Sequence, residues 1–268
     1  MLHLAFALSV VAVPGAAAIE NDCPAAASEA AREEARLLLQ AGQEHLGAGL
    51  FAEGEEELRA AAKLDPASAF PPYALGLALM DRQRFPEAVL AFSRCREALR
   101  CIREGDPLAK EQFRRTLDRE IRELRTAISG LERDRLVRQA VRGQEANGGE
   151  RGRLGESAQA IHALEQRLAD LVLLRNRPDR EPAGLGVALG NAHFHAGDLA
   201  EAEREFRRAL LVEPKSGDAH NNLAVVLMLE GKLDEAELEV RAAEKAGVPV
   251  APRLKEEIRQ RRLAAAPP

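Results

Sequence analysis

The chain has 268 residues, 30% of them charged and 3% aromatic, with a formal net charge of −5 at pH 7. That mild acidic excess argues against non-specific nucleic-acid binding, which needs a basic surface. Abundant Ala, Leu, Glu and Arg, no Trp, one Tyr and no alternating β-branched run exclude a β-rich fold and predict an all-α chain.

In the N-terminal stretch, Leu2 to Val13 form an apolar run, Pro14 and Gly15 break it, and Ala16, Ala17 and Ala18 are small residues of the kind signal peptidase accepts. Residues 1–18 are therefore expected to be a signal peptide exporting the chain to the periplasm or cell envelope, although no Lys or Arg precedes the apolar run. Residues 19–34 follow as an N-terminal segment. No later run approaches the ~20 apolar residues of a bilayer span, so no membrane insertion is expected after cleavage.

From residue 35 the small and large apolar residues keep a fixed spacing. Segment 35–68 carries Gly42, Gly49, Phe51, Gly54, Leu58, Ala61 and Pro66; segment 69–102 carries Leu75, Gly76, Phe85, Ala88, Phe92 and Cys95 at matching places. Small residues at positions 8, 20 and 27 of a segment let two antiparallel helices approach, and Leu or Phe at 7, 17 and 24 fills the space beside them. Cys95 sits at the small, buried position 27. Cys101 lies about 9 Å along the same helix, beyond disulfide reach unless the last turn unwinds. Cys23 is the other candidate partner for Cys101, and the pairing among Cys23, Cys95 and Cys101 stays open.

Residues 103–182 leave this spacing. Phe113, Leu117, Ile121, Leu124, Ile128 and Leu131 recur by fours and threes among charged residues, which predicts one long helix with an apolar stripe of coiled-coil character. Glycines at 143–155 predict a flexible linker. A second helix then starts near Ser157, carries Ile161, Leu164, Leu168 and Leu171, and stops at Arg177 and Pro178. An antiparallel hairpin is the simplest arrangement, and the surplus stripe of its longer helix is left for the flanking segments, a homodimer seam or a partner.

The first spacing returns in 183–216 and 217–250. Leu189, Gly190, Gly197, Leu199, Ala202, Phe206, Ala209 and Pro214 meet Leu223, Ala224, Gly231, Leu233, Ala236, Val240, Ala243 and Val248. The 34-residue period and these residue types resemble the tetratricopeptide repeat. The resemblance implies helix–turn–helix units that stack as a solenoid, because each unit alone leaves an apolar face uncovered. The expected architecture is an all-α solenoid with repeat pairs at 35–102 and 183–250, interrupted by the hairpin and closed by a capping helix at 251–263 and a disordered tail at 264–268.

The resemblance also implies ligand contacts from the first helix of each unit. These include Asn191, Phe194, His195, Asn221, Asn222 and Met228 in the second pair, and Tyr73 and Met80 in the first, where coverage of both by the central hairpin is the competing expectation. Asn191 and Asn222 match two asparagines by which some family members hold a peptide backbone or terminal carboxylate, a task suited to a carboxamide that both donates and accepts. The lysine of such clamps is replaced here by Val187, and asparagines that only hold neighbouring backbone are the alternative expectation.

Signatures of chemistry are missing. There is no phosphate loop, no Cys-x-x-Cys and no metal-binding His pair on one helix face; His193 and His195, two apart, point to different faces. His45, His193 and His220 fall at packing positions, and His162 is expected to face water. Glu53, Glu55, Glu56, Glu57, Glu201, Glu203 and Glu205 are expected on exposed sides of second helices. No catalytic residue, metal or cofactor is expected. The predicted function is a non-catalytic scaffold or adaptor of the cell envelope that binds peptides or helical segments of other proteins. A co-chaperone-like receptor for acidic or C-terminal peptides and a self-associating spacer are the alternatives, and a regulatory subunit of an envelope enzyme is the rival from another class.

Overall fold

The computed structural model describes residues 23–105, 107–141, 161, 164–165, 167–176 and 181–265. The expected signal peptide, the linker 143–155, Ser157, His162 and the stop at Arg177 and Pro178 lie outside the described residues.

The helices run α1 (Glu29–Gly47), α2 (Phe51–Leu64), α3 (Phe70–Asp81), α4 (Phe85–Glu104), α5 (Pro107–Val141), α6 (Ala183–Ala196), α7 (Leu199–Val212), α8 (Gly217–Leu229), α9 (Leu233–Lys245) and α10 (Pro252–Ala265). Residues 167–176 are helical as well. Two boundaries differ from expectation. Helix α1 begins at Glu29, inside the expected N-terminal segment, because the Ser28 Oγ accepts from the Ala31 N–H at 3.2 Å and caps the helix there. Helix α10 runs through Ala264 and Ala265, placed in the tail by sequence, since alanine favours helix continuation.

Within each unit the turn sits at position 15, where Gly49, Gly197 and Gly231 take φ of +80, +91 and +79°. The second unit has Gln83 there, at φ 58°, a left-handed conformation that glycine adopts without strain and other residues resist. Helix spacing is governed by positions 8 and 24. A Cβ added to Gly190 would lie 2.5 Å from the Phe206 ring, and one added to Gly76 would lie 2.5 Å from the Phe92 ring. In the last unit the same places hold Ala224 and the smaller Val240, both buried. Small residue and large ring thus trade volume across the helix pair.

The units are locked by a repeated ionic arrangement. Glu55 of α2 accepts from Arg84 of the next unit at 2.6 Å, and Glu203 of α7 accepts from Lys232 of the next unit at 2.6 Å. Arg59 and Arg207, one turn along, bind the same carboxylates at 3.0 and 2.7 Å and reach Glu87 and Glu235 of the following unit. These glutamates are not solvated faces: Glu55 is only 3% exposed. Burial works against the charge of Glu203, yet the bonds from Lys232 and Arg207 hold its pKa down at about 2.

Helix α4 packs on α6 as α2 packs on α3 and α7 on α8. The two repeat pairs therefore form one stack of four units, and the intervening residues are an insertion into it. Arg96 of α4 closes the junction by binding Glu181 and Glu205. The insertion turns its stripe onto the first helices of the first pair. Phe113 meets Phe70 with ring centroids 6.0 Å apart, Gln112 bonds Arg32 of α1, and Leu117, Ile121 and Leu124 share one core with Leu39 and Leu75. Residues 167–176 join that core through Leu171 and Leu174 and pair with α5 through Arg167–Glu120 and Arg175–Asp118.

Candidate peptide-binding face

The first helices, α1, α3, α6 and α8, present one face of the stack, and the insertion divides it. Over the first pair it is filled. Tyr73 packs on Phe92 with centroids 5.7 Å apart and helps enclose a cavity of about 50 Å³ with Phe113, Arg167, Asp170 and Leu171. Burial pushes the Tyr73 hydroxyl up to about 12 and the Asp170 carboxyl up to about 6, the latter opposed by a hydrogen bond from the Gly184 N–H. The expectation that Tyr73 contacts a partner is corrected: the insertion occupies the space such a partner would need. Met80, farther along α3, is half-buried against the same core.

Over the second pair the face carries polar groups in a row. The Asn222 Nδ2 donates to the Asn191 Oδ1 at 2.8 Å, and the Asn221 Nδ2 donates to the Asn222 Oδ1 at 3.1 Å. Among the described residues the carboxamides bond to one another rather than to neighbouring backbone. That leaves the Asn191 Nδ2 and the Asn221 Oδ1, at the two ends of the row, without a hydrogen bond among the described residues, so one end donates and the other accepts. His195, exposed at the end of α6, stacks on Phe85 of α4 with centroids 4.8 Å apart and meets Phe194 edge-on at 5.2 Å. This aromatic group bridges the second and third units, which sequence reasoning missed because Phe85 and His195 lie on opposite sides of the insertion.

Met228 does not belong to the open face. It is 8% exposed, in one core with Leu254 and Ile258 of α10, and its carbonyl accepts from Arg261 at 3.4 Å. The capping helix covers it. Two of the packing histidines bind carboxylates within the fold: the His45 Nδ1 lies 2.7 Å from Glu57, and the His220 Nδ1 lies 2.5 Å from Glu239. Among the described residues no three His, Cys, Asp or Glu side chains converge as a metal site would require, and no helix is long and apolar enough to cross a membrane.

The cysteines resolve into one pair and one thiol. Cys23 bonds Cys101, with α-carbons 5.4 Å apart, and fastens the chain ahead of α1 to the end of α4. Cys95 is free and buried at its small position, where burial pushes its thiol up to about 12.

Four stacked helix pairs with an open, hydrogen-bonding inner face define a protein–protein interaction scaffold. Residues 39–100 and 187–251 match the tetratricopeptide repeat family model, so these two segments are tetratricopeptide repeats. Proteins of this fold bind other proteins or peptides. No curated protein matches the chain. Similar solved structures include PilF of Pseudomonas aeruginosa, at 19% identity over 88% of this chain and 90% of that one with a TM-score of 0.32. MamA of Desulfovibrio magneticus RS-1 is 16% identical over 84% of this chain and 96% of that one, with a TM-score of 0.27. YrrB, a tetratricopeptide protein with an unusual peptide-binding site, is 15% identical over 80% of this chain and 87% of that one, with a TM-score of 0.27.

Proposed function

We propose that the chain is a non-catalytic adaptor that holds an extended peptide of another protein on the inner face of its second repeat pair. The row Asn191, Asn222 and Asn221 carries the reading, because its terminal donor and acceptor are matched to a peptide group. Phe194 and His195 give that segment an apolar and aromatic flank. Export to an oxidising compartment of the cell envelope belongs to the same proposal. It is supported by the signal-like residues 1–18 and by the Cys23–Cys101 bond, a type rare in reducing cytosol.

The test pans a displayed random-peptide library against the full chain, then titrates the enriched peptide into the parent and into Asn191→Ala/Asn222→Ala. Loss of roughly tenfold or more in affinity, with helical circular dichroism retained, supports the reading, since buried hydrogen-bond partners are then removed. Equal affinity defeats it. A second reading, self-association through the far end of α5, rests on Leu136 and Val137, 60% and 61% exposed there. A concentration-independent monomer in light scattering would rule that out.

A further inference from the structure

Two open grooves of similar volume lie on the surface. One, of about 600 Å³, runs between α9 and α10; the other, of about 630 Å³, opens where the end of α4, the start of α5 and residues 174–176 meet. Their charges are handled differently. At the first, Lys255 pairs with Glu244, Arg259 with Glu256, and Arg262 with Asp234 and Glu237, so the fold neutralises its own cations. Arg103, Lys110, Arg114 and Arg175 line the second, and among the described residues only Arg175 holds a carboxylate, that of Asp118. Glu111, the one lining carboxylate among the described residues, is engaged by Arg115. Arg103, Lys110 and Arg114 thus stand without a carboxylate partner among the described residues, in a chain whose net charge is −5.

The floor between these cations is apolar. Ile102, Phe113, Leu117 and Leu174 form it, with Leu117 and Leu174 buried and Phe113 half-buried. A carboxylate seated beside Arg103, Lys110 or Arg114 breaks no internal ion pair, and an apolar side chain between two such carboxylates would cover exposed carbon. The cations come from α4, from α5 and from the helical residues 167–176, and surround a groove rather than lying on one flat helix face, as they would to meet a sheet of lipid headgroups.

We propose that this groove, formed by the insertion and the end of α4, is a second docking site that takes an acidic peptide segment with an apolar residue between its carboxylates. It uses none of the asparagine row, so one chain can hold two partners.

The test is fluorescence anisotropy of a labelled peptide of glutamates interrupted by leucines, titrated with the full chain, its Arg103→Glu/Lys110→Glu/Arg114→Glu variant and its Asn191→Ala/Asn222→Ala variant. The expected result is binding by the parent and by the asparagine variant, and weakening by roughly tenfold or more on charge reversal. Should the triple variant lose its helical circular dichroism, exposed Lys110→Glu alone is read in the same way. Unchanged affinity after charge reversal would overturn the proposal. So would loss confined to the asparagine variant, or binding of phosphatidylserine vesicles without any binding of the peptide.

Discussion

Arg96 on α4 holds Glu205 on α7 across a sequence separation of 109, with Nη1–Oε1 at 2.8 Å and Nη2–Oε2 at 2.5 Å. Its Nε reaches Glu181 at 2.9 Å, so one guanidinium joins both repeat pairs and the end of the insertion. The ionic arrangement of the other unit boundaries cannot form here, because Val89 and Ser93 stand where Glu55 and Arg59, or Glu203 and Arg207, stand in their own units. Arg96 takes over that task with a different geometry.

Arg96→Met should therefore cost about 3 kcal/mol, because it leaves largely buried Glu205 without its cation. Urea unfolding followed by circular dichroism measures this. An unchanged midpoint would mean that the junction does not depend on the ion pair.

Replacing Gln83 with Gly should raise stability by about 1 kcal/mol, since it removes a side chain from a left-handed turn. The reverse change, Gly197→Gln, should lower it by a similar amount. The same unfolding titration reads both, and opposite signs are required.

Gly190→Ala should destabilise by about 1–3 kcal/mol through its clash with Phe206. Paired with Phe206→Val, the Ala should cost less than it does alone, because the pair then matches Ala224 and Val240 of the last unit. A double-mutant cycle with no coupling would contradict this account of helix spacing.

Asp170 sets a pH dependence with a definite sign. Its folded pKa of about 6 lies above the ordinary aspartate range, so the folded state binds the proton more tightly than the unfolded chain does. Stability from this group is intact below about pH 4 and is lost as pH rises through 6, by ~3 kcal/mol at most. Asp170→Asn keeps an acceptor for the Gly184 N–H and should flatten the profile between pH 4 and 7 while stabilising the protein at pH 7. A parent and variant with parallel pH profiles would show that Asp170 is solvated.

Much of the fold was legible because the contacts that define each unit are short in sequence. Gly190 and Phe206, or Gly76 and Phe92, lie within one helix pair, and their sizes announce the spacing. Gln83 was not read as a turn residue because nothing in its type marks a left-handed backbone; only its place among glycines in the other units does. Continuity of the stack was not legible either, since Arg96 meets Glu205, and Phe85 meets His195, across an insertion that hides their adjacency. For the same reason sequence places Met228 on an open face and leaves Tyr73 between a partner and the hairpin. Which side of α5 or α10 would cover them depends on where each helix returns, and a stripe of leucines does not specify its partner.

The most direct test of the account is hydrogen–deuterium exchange of the full chain with and without the peptide enriched by panning. The account predicts new protection in α6 around Asn191–His195 and in α8 around Asn221 and Asn222, with none in α1 or α3, where the insertion already fills the face. Protection in α1 and α3, together with faster exchange in 113–124, would contradict it by showing that the peptide displaces the insertion and binds the first pair.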